Sequence, residues 1–229
     1  FQSVVVSADR ITLSPPCFRQ GTLIRTERGD IAVEDLLIGD VIPTAAGAPG
    51  RQAIAWIGHR TVDCARHPKP EAVWPVRIVA GAFARGVPAR DLWLSPDHAV
   101  FVDDVLIPVK HLVNGTSIVQ EQADTVTYYH IETPRHDVLL AEGLPCETYL
   151  DTGDRANFDN GGAIVRLHPD FAMRTWDALG CAPLHVTGPV LGAVYDRLVA
   201  RAARKKRSSA VVARRSRVQN TTKRYNTRS

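Results

Sequence analysis

From Thr22 to Glu142 the apolar residues come in short runs, and each run is stopped by Gly, Pro, Asp or Asn. The runs are TLIRT at 22–26, IAV at 31–33, VI at 41–42, AIAWIG at 53–58, PVRIVA at 75–80, AVFV at 99–102, VLIPV at 105–109, TVTYYHIE at 125–132 and DVLLAE at 137–142. Segments this short, rich in Val, Ile, Thr and Tyr, predict β-strands rather than helices. AVFV and VLIPV flank Asp103-Asp104, a pair that predicts a two-residue hairpin because Asp tolerates turn conformations. A further apolar strand is expected just before Ser95.

Beyond Asp154 the period changes. PDFAMRTWDALG predicts a short helix that stops at Gly180. The stretch from Pro189 sets Val190, Leu191, Val194, Tyr195, Leu198 and Val199 on one face at helical spacing, with Pro189 suited to a first turn. From Ser208 on the sequence is polar and basic, and disorder is expected. At the other end VVV (4–6) is a candidate edge strand, and ITLSPP holds the chain extended up to Cys17. The expected organisation is a lead-in at 1–16, a mainly β domain at 17–155, a helical extension at 156–207 and a basic tail at 208–229.

Composition narrows the class. The 229 residues are 45% hydrophobic and 23% charged, as in ordinary globular proteins. No run approaches the roughly 18 apolar residues of a membrane helix. The chain begins at Phe1, which suggests processing or a fragment of something longer, and VVVSA is too short for a signal sequence, so localisation is not legible. Charge is lopsided: residues 1–200 hold 17 Lys and Arg against 24 Asp and Glu, a balance of −7, and the stretch from Arg201 carries 11 basic residues with no acidic one. The four cysteines (Cys17, Cys64, Cys146, Cys181) lack CxxC spacing, which argues against a zinc ribbon, a redox pair or a disulfide framework.

Candidate chemistry centres on Cys17. A thiol there can attack the carbonyl of Pro16 and convert the Pro16–Cys17 amide into a thioester, provided the protein stabilises the oxyanion and protonates the departing amine. An unperturbed thiol is only a few per cent ionised at neutral pH, so a base nearby would help. In LWLSPDHAV, Ser95 and His98 flank a Pro turn and can face one pocket. TYYHIETPRHDVLLAEG adds His130 and the pair His136-Asp137.

These blocks carry a resemblance. CFxxGTxIxTxxGxxxVExLxxGDxV, SPDHAVFV and YHIETPRHDVLLAEG, in that order over roughly residues 15–155, resemble the Hint superfamily of hedgehog autoprocessing domains and inteins, and more narrowly bacterial intein-like domains. The resemblance implies a horseshoe-shaped, pseudo-two-fold all-β fold, here with a short C-terminal helical appendage. It implies Cys17 as nucleophile, His98 as the residue that helps protonate the scissile amide, Ser95 in place of the usual Thr, His136 as the penultimate-block histidine, and Asp137 where inteins commonly carry Asn. Asp63 or Asp91 would orient the thiol. The region after the third block, EGLPCETYLDTGDR, lacks a terminal Asn and a following splice nucleophile. Cleavage or transfer at Pro16–Cys17 is therefore expected rather than splicing, with the upstream polypeptide as substrate and water, a thiol or another nucleophile as acceptor. Pro16 departs from the Gly of hedgehog proteins and hinders the carbonyl.

Other readings remain open at this level. The domain could be a non-cleaving interaction or display module on a secreted or surface protein. The basic tail could bind nucleic acid. No cofactor is implied, and His59, Cys64 and His67 make a poor metal set without a fourth ligand. Cys64, Cys146 and Cys181 are expected in the core, His130 in a packing role, and the chain as a monomer.

Overall fold

The computed structural model describes residues 15–47, 50–162 and 171–226. The candidate edge strand at 4–6 lies outside them. The strands are β1 (Phe18–Arg19), β2 (Leu23–Thr26), β3 (Gly29–Ala32), β4 (Val41–Thr44), β5 (Gly50–Ala53), β6 (Trp56–Asp63) and β7 (Val76–Ile78). They continue as β8 (Leu92–Leu94), β9 (Ala99–Val102), β10 (Val105–Pro108), β11 (Ile118–Gln120), β12 (Thr125–Glu132), β13 (Val138–Ala141) and β14 (Leu144–Glu147). Helices α1 (Phe171–Leu179) and α2 (Pro189–Asn226) follow. The fold is mainly β.

Two six-stranded antiparallel sheets hold the chain together, in the orders β11-β7-β8-β1-β12-β6 and β10-β9-β14-β13-β2-β3, beside a β4-β5 ribbon. The Asp103-Asp104 hairpin is present, with φ of 51° and 61° at its two corners. A second tight hairpin at Glu142-Gly143, φ 49° and 78°, joins β13 to β14. Its partner strand LPCE contains Pro and Glu, which hid it from an apolar-run reading. The long pair β6 and β12 runs in register from Asp63 opposite Thr125 to Trp56 opposite Glu132.

The main core lies between the sheets and includes Phe18, Ile24, Leu94, Ile107, Ile131 and Leu139, all fully buried. A smaller cluster of Cys17, Cys64, Val73, Val126, Tyr128, Tyr149 and Phe158 sits at one side of it. Thus Cys17 belongs to a packed, apolar neighbourhood rather than to an open groove.

The helical extension closes on this body. Val194 and Leu198 of α2 are buried within the main cluster, as helical periodicity requires. Arg197 forms a two-point ion pair with Asp103, with contacts of 2.8 and 3.0 Å. One and two turns further on, Arg201 and Lys205 donate to the carbonyls of Gly81 and Ala80. The helix continues to Asn226. Leu198→Ala should destabilise the whole β domain by about 2–4 kcal/mol in urea unfolding, the cost of a cavity in a shared core; an unchanged midpoint would mean that α2 is not integral to it.

Candidate functional site

The site is built where β1 meets its neighbours. Phe18 pairs with Leu94 of β8 on one side and Tyr129 of β12 on the other. The ladder with β8 extends one step outward, because Ser95 N–H donates to the Cys17 carbonyl at 2.9 Å. Cys17 N–H in turn donates to Ser95 Oγ at 2.8 Å, and the Ser95 hydroxyl donates to Pro15 O at 3.2 Å. One side chain therefore grips the backbone on both sides of the Pro16–Cys17 bond. Ser95 and Cys17 are both fully buried.

After Ser95 the Pro turn folds back on itself, with His98 N–H bonded to Ser95 O at 3.1 Å. This brings the buried His98 ring to 4.2 Å from Phe18 and 4.9 Å from His130, centroid to centroid. Neither ring nitrogen of His98 or of His130 closes a hydrogen bond among the described residues. His130 comes from the middle of β12, on the face it shares with Tyr128, and its ring also meets Tyr149 at 5.3 Å.

Burial sets the electrostatics. It pushes the Cys17 thiol up to about 12, offset in part by the Arg60 guanidinium and reinforced by the Asp154 carboxylate. Desolvation drives His98 down to about 3, although the nearby Cys17 and Glu147 carbonyls favour its protonated form. His130 is pushed well below the ordinary value by burial and by the neighbouring His98, His136 and Arg60. At rest the thiol and both imidazoles are neutral.

Arg60 and Asp154 are the charged groups closest in effect to the thiol, and neither was singled out from sequence. Arg60 stands on β6 directly opposite Tyr128 and lies over its ring at 5.8 Å. Asp154 is raised by burial and accepts from Tyr149 Oη at 2.7 Å. The alternatives Asp63 and Asp91 are engaged elsewhere. Asp63 caps Arg66, and Asp91 takes the Ala80 N–H and pairs with Arg77. An arginine in mid-strand and an aspartate in a turn after the last strand carry no local signal. Only the register of β6 on β12 and the return of the 148–154 segment bring them together.

His136 and Asp137 lie at a second station. His136 Nδ1 accepts the Cys181 N–H at 3.0 Å, its Nε2 stands 3.7 Å from Glu147 Oε2, and Trp176 meets the ring edge-on at 5.1 Å. With Nδ1 accepting, a ring hydrogen on Nε2 points toward Glu147. Glu147 is buried, is raised by desolvation, and accepts the Ala99 N–H at 2.6 Å, one residue after His98. Asp137 accepts from the backbone N–H groups of Ala46, Gly47 and Val138 and from the Gln52 amide. Its geometry is that of a loop anchor.

All four cysteines are free thiols. Among the described residues no cluster of His, Cys, Asp and Glu could hold a metal ion, and no helix is long and apolar enough to cross a membrane. Of the proposed metal set, Cys64 is buried and His67 bonds to the Lys69 backbone.

The sequence matches the Hint domain family over residues 16–153, more than half of the chain. The chain belongs to the Hint domain family. That match supports an autoprocessing-type domain acting on its flanking polypeptide. Solved structures with similarity include a bacterial intein-like domain from Clostridium thermocellum, 17% identical, covering 59% of this chain and 100% of its own at a TM-score of 0.45. The gp41-1 intein is 11% identical, covers 58% and 98%, and has a TM-score of 0.42. A DnaB intein from Synechocystis is 9% identical, covers 58% and 99%, and also has a TM-score of 0.42. No curated protein matches.

The depressed histidines make the Hint domain acid-sensitive. His98 carries its ordinary value near 6.5 when unfolded and about 3 when folded, so the unfolded chain binds more protons throughout that interval. Stability should be full above about pH 6.5 and decline as pH falls toward 3, with His130 acting in the same direction. Urea unfolding between pH 7 and 4 checks this, and His98→Gln should flatten part of the slope.

Proposed function

We propose that this Hint domain cleaves or transfers its own upstream segment through a thioester at Cys17, without completing splicing. The single observation that carries the reading is the Ser95 grip on the Pro16–Cys17 amide, with Cys17 N–H on Oγ at 2.8 Å and the hydroxyl on Pro15 O at 3.2 Å. Such an arrangement satisfies a buried donor and at the same time orients one particular peptide bond.

In this mechanism the Cys17 thiol loses its proton as sulfur attacks the Pro16 carbonyl carbon. A thiol held near 12 is not ionised beforehand, so proton removal and attack are coupled, and Asp154 and Arg60 are the groups available to assist. Negative charge develops on the Pro16 oxygen. The same charge makes protonation of the nearby His98 easier, because an opposite charge raises the affinity of an imidazole for its proton. Collapse of the intermediate breaks the C–N bond, and Ser95 and His98 together return a proton to the nitrogen. The upstream acyl group then rests on sulfur until an acceptor takes it. His136, held by Cys181 and facing Glu147, supports the histidine side of the pocket rather than the thiol.

The stretch EGLPCETYLDTGDR at 142–155, which holds neither an Asn nor a following splice nucleophile, supports cleavage or transfer over splicing. A second reading, a Hint module that no longer cleaves, draws on the fully buried, un-ionised thiol and on the hindered Pro16 acyl donor.

A reporter fused ahead of residue 1 separates the two. Mass spectrometry should find a break between Pro16 and Cys17, accelerated by dithiothreitol or hydroxylamine. Cys17→Ala should abolish it, and Ser95→Ala or His98→Ala should slow it about 100-fold or more, the usual scale of lost acid-base help. An intact fusion under every condition favours the non-cleaving module.

A further inference from the structure

Where α2 crosses the 80–89 loop, a recess is lined by Arg85, Arg201, Arg204 and Lys205. A second recess shares Gly81, Arg201 and Lys205 with it and adds Lys206, Thr116 and Ser117. No Asp or Glu lines either one. Elsewhere on the body the basic side chains meet carboxylates, as Arg28 does Asp40, Arg77 does Asp91, Arg90 does Glu142 and Arg197 does Asp103. Here they do not. Arg201 gives its Nε to Gly81 O at 3.0 Å, and Lys205 Nζ reaches Ala80 O at 2.6 Å, so both cationic heads are held in place by neutral carbonyls. Gly81, at φ 72°, makes the turn that offers those carbonyls. Among the described residues Arg85, Arg204 and Lys206 form no ion pair.

We infer that these joined recesses bind the phosphodiester backbone of a nucleic acid, through charge and without regard to base sequence. The inference stands apart from the thioester reading, since no residue of the Cys17 site lines either recess. Three of the five cations are arginines, whose planar fork matches a pair of phosphate oxygens. Residues 207–226 carry α2 onward for about 30 Å and add six Lys and Arg with no Asp or Glu. A long track of one sign fits a long polyanion. A helix lying on a lipid surface needs large apolar side chains along one face, and 207–226 contains no Leu, Ile, Phe, Met or Trp. A protein partner is held chiefly by buried aromatic or aliphatic anchors. None of the exposed large apolar side chains of the body lines these recesses.

The test follows the fluorescence anisotropy of a labelled DNA duplex of about 20 base pairs with the full chain, from about 50 to 200 mM salt. Affinity should fall with a log–log slope of about −4 or steeper, the scale for five neutralised phosphates, and two unrelated sequences should bind within about 2-fold of each other. Arg85→Ala combined with Arg204→Ala, both at exposed positions, should weaken binding about 10-fold or more and flatten the slope by about 2. Arg66→Glu removes the same net charge at a side chain 90% exposed and outside both recesses, and should cost less than about 3-fold. A double variant that binds like wild type, an Arg66→Glu chain weakened as much as the double variant, or no binding at the lowest salt would overturn the site. So would tighter binding to vesicles of equal phosphatidylserine and phosphatidylcholine, or to polyglutamate of matched charge, than to the duplex, since the surface would then belong to a membrane or to an acidic protein.

Discussion

The structure depends on a short reciprocal contact between two strands, in which Ser95 N–H bonds to Cys17 O and Cys17 N–H bonds to Ser95 Oγ. The first bond is ordinary sheet pairing at the end of β8. The second replaces a backbone partner with a hydroxyl, which leaves the amide nitrogen beside a group that can both accept and donate. Buried donors need partners, so this bond is retained for stability as well as for chemistry. Once it forms, the Pro15-Pro16 segment is drawn into the interior, and the His98 turn and the β12 face close around it.

Burial gives this site its character. Removing Cys17, His98 and His130 from water keeps all three neutral at rest, and the nearest compensating charges are Arg60 and Asp154. A neutral site holds a peptide bond without attacking it readily. Charge generated during reaction would be strongly felt there, because little solvent is present to screen it. The same arrangement has a cost in acid, where neutral buried histidines must either stay unprotonated or leave the fold.

The acidic body and the basic stretch that follows it are not independent. Arg197 pairs with Asp103 at the tip of the β9-β10 hairpin, and Arg201 and Lys205 reach the carbonyls of Gly81 and Ala80. The early basic residues of α2 thus serve as anchors on the β body, with Val194 and Leu198 driving the docking from the apolar side. The preceding segment is fixed by the same body, through Leu106 and His136, so the extension is packed against the site it follows.

The sequence by itself determined the mainly β character, the Asp103-Asp104 hairpin, the α2 register and the Ser95–His98 turn. Each of these is written in local pattern: short branched runs, a turn pair, a 3.6-residue period, and a Ser-Pro-Asp-His turn that must fold back within a few residues. The tertiary structure alone decided the rest. His130 has the packing role expected of it, with the rings of Phe18, His98 and Tyr149 as partners that only the fold supplies, and Asp137 holds the 46–47 loop. Arg60 and Asp154 are the charged groups that act on the thiol, while Asp63 and Asp91 are engaged with Arg66, Ala80 and Arg77. Those assignments depend on which strands lie side by side and on where a distant segment returns. The energy that fixes them is burial summed over the whole core, which no short window of residues contains.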